Sequence, residues 1–111
     1  DSVKSVDYPH FAHAVGKMVI DGHADKGIVI CGTGIGVSIS ANKIPGVRAA
    51  LCSTNEDAEM SRKHNNSNVL ALGARSCGPP DLVAITDTWL NTAFEGGRHE
   101  RRVNQIENIN I

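Results

Sequence analysis

The chain has 111 residues, 41% of them hydrophobic and 21% charged, a composition typical of a globular protein with a packed core. Its formal net charge of −1 argues against nucleic acid or an anionic membrane surface as the main partner. All apolar runs are shorter than the roughly 18 residues that a transmembrane helix requires, and we expect neither a membrane span nor a signal peptide.

The cysteines and histidines indicate neither a disulfide framework nor a metal site. Cys31, Cys52 and Cys77 are odd in number and form no C-x-x-C pair, which favours reduced thiols in a cytoplasmic protein. The five histidines match no ligand motif with cysteine or carboxylate, and His10 and His13 are expected to lie on a solvated helix surface. We therefore predict no metal and no other cofactor.

Helical and strand patterns alternate along the chain. An entry at Asp7 and Pro9 predicts an amphipathic helix that ends near Gly22, with apolar residues at Phe11, Val15, Met18 and Val19. Next come a buried strand over 28–31, a short helix over 37–43 and a strand over 47–52. The remaining elements are a helix over about 56–63, capped by Thr54 or Asn55, a strand over 69–73, a helix from Pro79 with Leu82, Ile85, Trp89 and Leu90 inward, and an amphipathic helix over 98–111.

This alternation is typical of βαβ units with right-handed crossovers. We predict one α/β domain over residues 1–111, a Rossmann-like three-layer α/β/α sandwich with a parallel sheet. Three strands make a small sheet for this fold, and we expect the parent protein to carry a further β-α-β unit before Asp1.

The most informative stretch is the glycine-rich loop after the first strand, Cys31-Gly32-Thr33-Gly34-Ile35-Gly36. Glycines allow backbone N–H groups to approach an oxyanion closely, and the following helix adds roughly half a positive charge. The spacing is too tight for a dinucleotide fingerprint, and the lysine of a P-loop is absent. Cys31 lies at the carboxyl end of the strand, where N–H groups would lower its pKa and favour a thiolate base. The alternative is that Cys31 is a small buried hydrophobe.

Two further polar clusters lie near helix ends. Arg98 and Arg102 are spaced i, i+4, which suits a phosphate, although a solvated helix end has the same pattern. His64 precedes Asn65 at the end of a predicted helix, where it is either a functional residue or a cation that interacts with the helix dipole. We expect these clusters and the Cys31 loop to lie on one rim of the domain.

Together these motifs resemble the type B ribose-5-phosphate isomerases of the ribose/galactose isomerase family. The matching stretches run in order through nearly the whole chain: Asp7-Tyr8-Pro9, the loop 31–36, Asn42-Lys43-x-Pro45-Gly46-x-Arg48, His64-Asn65, Gly73-x-Arg75 and Gly96-Gly97-Arg98-His99-x-x-Arg102. One feature departs from the family pattern. The family begins with a strand that ends in an Asp-His pair, and residues 1–111 hold no counterpart of it.

The resemblance implies an aldose–ketose isomerase of the pentose phosphate pathway, with Cys31 as the general base that moves a proton from C2 to C1 of the sugar. Thr33 would pass a proton between O1 and O2, and His64 would open the sugar ring. Some family members carry the base as a glutamate a few residues later, but residues 35–39 hold no carboxylate here. The residues implied in substrate binding are Tyr8, Gly32, Gly34, Ile35, Gly36, Asn65, Arg75, Arg98 and Arg102. Among these, the loop N–H groups would hold the enediolate, and Arg98 and Arg102 the phosphate.

The resemblance also implies a phosphorylated sugar as substrate and a homodimer or homotetramer whose active site lies between subunits, with the C-terminal helix packed on a partner subunit. Two alternatives stay open. One is an isomerase of galactose 6-phosphate or allose 6-phosphate, and the other is a phosphosugar-binding module without catalysis. The presence of both Cys31 and His64 on one chain favours the ribose enzyme.

Overall fold

The structure, a computed structural model, describes residues 7–109. It has five helices and three strands. The helices are α1 (Tyr8–Ile20), α2 (Ile35–Ala41), α3 (Asn55–Asn65), α4 (Pro79–Asn91) and α5 (Arg98–Glu107), and the strands are β1 (Gly27–Cys31), β2 (Ala49–Leu51) and β3 (Val69–Gly73).

The three strands form a parallel sheet in the order β1-β3-β2. The last strand in the chain is the central one, and all five of its residues are buried. The register of β1 on β3 runs from Gly27 opposite Val69 to Cys31 opposite Gly73. Cys31 and Gly73 therefore lie side by side at the carboxyl edge of the sheet.

Helices cover both faces of the sheet, which confirms the predicted three-layer α/β/α sandwich. Alternate residues of β3 point to opposite faces, because side chains in a strand have a period of two. Val69 and Ala71 pack with α1 and α2, and Leu70 and Leu72 pack with α3 and α4. On the second face, fully buried Trp89 donates a 2.7 Å hydrogen bond from Nε1 to Ser67 Oγ.

Helix α3 begins one residue earlier and ends two residues later than the predicted helix over about 56–63, and its cap is Thr54, one of the two predicted candidates. Thr54 Oγ1 accepts a 3.0 Å hydrogen bond from the backbone N–H of Asp57, which satisfies one of the free donors of the first turn. Asn66 closes the helix in the left-handed conformation, with φ of +48°.

The burial of β1 was predicted wrongly. Within residues 7–109 this strand pairs only with β3, and Ile28 and Ile30 are exposed while Val29 is buried. An apolar run does not reveal whether both sides of its strand are covered. The predicted apolar positions Phe11, Met18 and Leu90 are likewise exposed.

The last helix lies against α3 and buries Val103. It ends at Glu107, earlier than the predicted helix over 98–111, and Ile106 and Ile109 are exposed. Residues 110 and 111 lie outside the described residues. The packing of this helix on a partner subunit stays a prediction. None of the helices in the described part of the chain has the length and hydropathy needed to cross a membrane.

Candidate active site

The loop after β1 is built around Gly34, which has φ of +79° and precedes the first residue of α2. A Cβ on Gly34 would lie 2.5 Å from Leu51 Cδ1 and 2.8 Å from the carbonyl carbon of Leu72. Both the left-handed conformation and the close approach to β3 thus require glycine. This turn bends the backbone back over the Cys31 side chain.

The sulfur of Cys31 lies among hydrogen-bond donors of the same loop. The N–H of Gly34 donates to Sγ at 3.2 Å. Burial alone would raise the pKa of the Cys31 thiol. The backbone N–H groups of Val37, Gly34 and Thr33 and the Thr33 hydroxyl outweigh it and lower the pKa. The loop donors therefore shift the Cys31 thiol in the direction of the thiolate, and the role of Cys31 as a base stays a prediction.

Two side chains that the sequence placed in the substrate pocket lie over this loop. A Cβ on Gly36 would meet the Tyr8 ring at 2.5 Å and its hydroxyl oxygen at 2.7 Å, so the ring occupies the space above Gly36. A Cβ on Gly32 would lie 3.1 Å from Arg75 Nε. Tyr8, Cys31, Gly32 and Arg75 line a groove of about 690 Å³ beside β1. Ile35 donates its N–H to Thr33 Oγ1 at 3.2 Å, which orients that hydroxyl.

The other predicted site residues lie at the opposite edge of the sheet. The prediction that all the polar clusters share one rim is therefore wrong within a single chain. Helix α3 follows β2 at the carboxyl edge of the sheet and leads back to the amino end of β3, so His64 and Asn65 lie at the amino edge. A five-residue strand separates the two edges by roughly 13 Å, since strands rise about 3.3 Å per residue. Arg98 and Arg102 lie with them, because α5 packs on α3.

At the amino edge, His64 and His99 stack with ring centroids 4.1 Å apart and planes within 16° of parallel. Glu95 Oε1 lies 3.7 Å from His64 Nε2 and 3.6 Å from His99 Nε2. We call these three residues the His–Glu–His cluster. Burial lowers the pKa of His99, the charges of His64, Arg98 and Arg102 lower it further, and Glu95 opposes them.

None of the histidines has a carboxylate partner at a ligand-motif spacing, so this cluster was not predicted from the sequence. Glu95 lies about thirty residues beyond His64 in the chain, and no local spacing links them. Glu95 and His99 are four residues apart, but Glu95 precedes α5, so the helical i, i+4 rule does not link them.

Asn65 and Arg102 are exposed, as is Arg98 at the start of α5. Arg48 ties this region together, because its guanidinium donates to the carbonyl of Asn65 at 3.2 Å and to the carboxylate of Glu107 at 2.6 Å. Arg48 thereby connects the C-terminal end of α3 to the C-terminal end of α5.

The doubly covered parallel sheet, with an N–H-lined loop at its carboxyl edge, defines a Rossmann-like α/β domain. Comparison with known proteins gives the family. Residues 1–106 match the family model described as Ribose/Galactose Isomerase. The chain belongs to the ribose/galactose isomerase family, which confirms the predicted resemblance.

Individual relatives are similar over nearly the whole chain. The chain is 49% identical to ribose-5-phosphate isomerase B of Escherichia coli strain K12, over 97% of its own length and 72% of that protein's. It is 44% identical to D-erythrulose-4-phosphate isomerase of Pectobacterium atrosepticum, over 89% of the chain and 65% of that protein. A solved structure of ribose-5-phosphate isomerase B from Clostridium thermocellum has a TM-score of 0.92 and 54% identity, covering 94% of this chain and 70% of that one.

Proposed function

We propose that this protein is an aldose–ketose isomerase that converts ribose 5-phosphate to ribulose 5-phosphate in the pentose phosphate pathway. The observation that carries the proposal is the Cys31 sulfur, held among loop N–H groups in a chain that belongs to this isomerase family. Proton transfer between adjacent carbons needs one base near neutral pKa and a site for the resulting oxyanion. A cytoplasmic location accords with the free thiols of the chain.

The reaction moves one proton between carbons and one between oxygens. The Cys31 thiolate takes the proton from C2 of the open-chain aldose, and the electron pair forms the enediolate, whose charge the N–H groups of the loop stabilise. The thiol then returns a proton to C1. The Thr33 hydroxyl passes a proton from O2 to O1, which leaves a carbonyl at C2. Tyr8 and Arg75 line the same groove as Cys31, where they would contact the sugar.

Ring opening and the binding of the sugar and its phosphate are carried out by residues at the amino edge of the sheet. His64 opens the sugar ring, because the cyclic form has no acidic C2 proton. Asn65 binds a sugar hydroxyl, and Arg98 and Arg102 bind the phosphate as charged forks. Since this edge lies at the far end of the sheet from Cys31, one copy of the chain does not assemble the whole set.

We therefore propose that the active site forms between two copies, the Cys31 loop of one facing the His64 and arginine cluster of the other. The assembly is a homodimer, or a homotetramer of such dimers. A two-fold axis produces two identical sites in each dimer.

Complementation between two inactive variants tests this arrangement. Cys31→Ala and His64→Asn are each expected to lose most activity. After subunit exchange in an equal mixture, half of the dimers are mixed and each has one intact site, which restores about a quarter of the parent activity. Exchange of the C2 proton of ribose 5-phosphate in heavy water, followed by NMR, measures the chemistry directly.

The possible outcomes test the site between two copies and the isomerase activity separately. Mixed dimers that form, as seen by native mass spectrometry, yet stay inactive would contradict the site between copies. A parent protein that exchanges no C2 proton would contradict the isomerase itself and favour a phosphosugar-binding module.

The length of the sugar is a separate question. A relative named D-erythrulose-4-phosphate isomerase is 44% identical to the chain, which supports variation in sugar length within the family. The second candidate is therefore isomerisation of another phosphosugar, including galactose 6-phosphate or allose 6-phosphate. Comparing kcat/KM across four-, five- and six-carbon aldose phosphates determines the preferred sugar length. The highest kcat/KM for a six-carbon sugar would contradict the proposal that ribose 5-phosphate is the substrate.

A further inference from the structure

The stretch from Asn42 to Arg48 resembles the family pattern, but the proposed chemistry uses none of its side chains. In the structure this stretch fixes one arginine. The side chain of Asn42 accepts a 2.7 Å hydrogen bond from the N–H of Ala49 and donates a 3.0 Å hydrogen bond to the carbonyl of Ala49. Asn68 accepts from the N–H of Arg48 at 2.7 Å and donates to the carbonyl of Gly46 at 3.0 Å. Two asparagine side chains thus hold the backbone around Arg48.

The guanidinium of Arg48 caps the C-terminal end of α3. Its Nε donates to the carbonyls of Asn65 and Asn66 at 3.2 and 3.1 Å, and its Nη2 donates to the carbonyl of Asn66 at 3.0 Å. The last carbonyls of a helix have no partner within the helix, and a cation beside them also interacts favourably with the helix dipole. Asn65 is therefore held in place by a residue from another segment of the chain.

The same guanidinium holds α5. Arg48 Nη1 lies 2.6 Å from Glu107 Oε1, in an ion pair whose side chains are only 17% and 29% exposed. Only two of the ten residues of α5 are buried, and a helix of this length is marginal on its own. The contacts at its two ends therefore fix its direction. Glu107 is the contact at the C-terminal end, and just before the start of α5 the N–H of Glu95 donates to the carbonyl of Lys63 at 3.1 Å.

The direction of α5 determines where its arginines point. Arg102 lies between the two end contacts, three residues after buried His99 and five before Glu107. Because a helix rises about 1.5 Å per residue, a tilt of about 15° around His99 would displace the backbone of Arg102 by about 1 Å. A displacement of that size in a group that holds a substrate costs as much as about 100-fold in rate. The contact between Arg48 and Glu107 is therefore placed to control phosphate binding.

We propose that Arg48 is a positioning residue of the isomerase, which fixes Asn65 at the end of α3 and the arginines of α5 in one relative arrangement. This inference rests on the proposed function, in which Asn65 binds a sugar hydroxyl and Arg98 and Arg102 bind the phosphate. Arg48 acts through these residues and not as a third phosphate ligand, because each of its three guanidinium nitrogens already donates to a protein oxygen.

Steady-state kinetics of the full chain test the role of the guanidinium fork. Arg48→Lys keeps the positive charge but loses the fork that spans two carbonyls and a carboxylate. We expect KM for ribose 5-phosphate to rise about 10-fold while kcat changes less than about threefold, because the residues that Arg48 positions bind the substrate. Lys43→Ala is the matched control. It removes a positive charge from an exposed position of the same stretch, and among the described residues Lys43 forms no ion pair.

Glu107→Ala tests the contact with α5 separately, since it leaves the contacts of Arg48 with α3 in place. We expect KM for ribose 5-phosphate and Kd for inorganic phosphate, measured by NMR titration, to rise about 3- to 10-fold. In an Arg102→Ala background the same substitution should change both constants less than about twofold, because the positioned group is absent. A purely structural role would give the full effect in both backgrounds. Glu100→Ala, at an exposed position of α5 without an ion pair among the described residues, is the control.

The proposal is overturned if Arg48→Lys and Glu107→Ala lower kcat with KM unchanged, or if their KM stays within about twofold of their controls. Full additivity of Glu107→Ala with Arg102→Ala also overturns it. Should Arg48→Lys fail to fold by circular dichroism, the Glu107→Ala comparison still decides. Phosphate binding does not depend on turnover. A parent protein that binds phosphate through Arg102 but exchanges no C2 proton would refute the proposed isomerase, and weaker phosphate binding in Glu107→Ala would still support the positioning role.

Discussion

The three cysteines of the chain differ in what surrounds their sulfur atoms. Cys52 is buried in the core beneath α3, where burial raises the pKa of its thiol to about 11, the Ser61 hydroxyl opposes this and Asp57 adds to it. Cys77 is buried in the same cluster. Cys31 is partly exposed and surrounded by N–H donors, which lower the pKa of its thiol. Cys31 is thus the cysteine that combines a lowered thiol pKa with access, the two conditions that favour reactivity.

Alkylation should therefore select Cys31. With limiting iodoacetamide near pH 7.5, we expect mass spectrometry to find the label on Cys31 well before Cys52 or Cys77. The rate should fall as the pH drops through the lowered pKa of Cys31, because the thiolate is the reacting form. Cys31→Ser should remove the fast phase and Cys52→Ser should keep it. Earlier labelling of Cys52 would contradict the described loop.

Gly34 provides a test of the loop backbone. Gly34→Ala places a Cβ against β3 at positive φ, and we expect a loss of more than about 2 kcal/mol in the free energy of unfolding. Gly96→Ala is the matched control. Gly96 has φ of +71°, but among the described residues a Cβ there meets no atom within 4 Å. Urea unfolding measures both variants, and equal losses would mean that the close contact with Leu72 has no effect.

At the scale of secondary structure, α5 carries the arginines and also the cluster histidine. Arg98→Ala is expected to raise KM for ribose 5-phosphate about 10- to 100-fold, which corresponds to a charge-assisted contact of about 1.5–3 kcal/mol. Arg101→Ala removes the same charge from an exposed position of the helix and is the control. Steady-state kinetics distinguish the two variants. An unchanged KM in Arg98→Ala would mean that Arg98 is solvated and does not bind the phosphate.

Most of the elements were predictable because their signals are local. The apolar run 69–73 predicted β3 with both ends correct, and Thr54 marked the start of α3. The Cys31 loop was predictable for the same reason, since strand, glycines and helix follow one another directly. The burial of Ile28 and Ile30 depends on what lies beside β1, and no local pattern carries that information.

The arrangement of the site depended on topology and was less predictable. The sequence identified His64, Arg98 and Arg102 as polar residues near helix ends, but which edge of the sheet each end reaches depends on the direction of α3 and the packing of α5. Glu95 lies in the segment between α4 and α5. Only the fold shows that it lies close to the imidazole rings of His64 and His99.

For the whole molecule, the separation of the two edges would link activity to association if the proposed site between two copies is right. We then expect specific activity to fall on dilution, along the same curve as the dimer fraction measured by sedimentation, because in that arrangement a lone chain holds no complete site. Folding itself should be unaffected at the first dilution steps, as circular dichroism would record. Constant specific activity at concentrations where the chain sediments as a monomer would contradict the site between copies.

Trp89 gives this protein an optical reporter of its own. It is the single tryptophan of the chain, fully buried between α3, α4 and β3 with its indole nitrogen bound to Ser67. Its emission in the folded state therefore comes from one environment, shielded from water. A shift of that emission to longer wavelength records the opening of this side of the sheet. The Cys31 loop on the carboxyl edge contributes nothing to the tryptophan signal. Fluorescence and thiol labelling thus follow two separate parts of the same molecule.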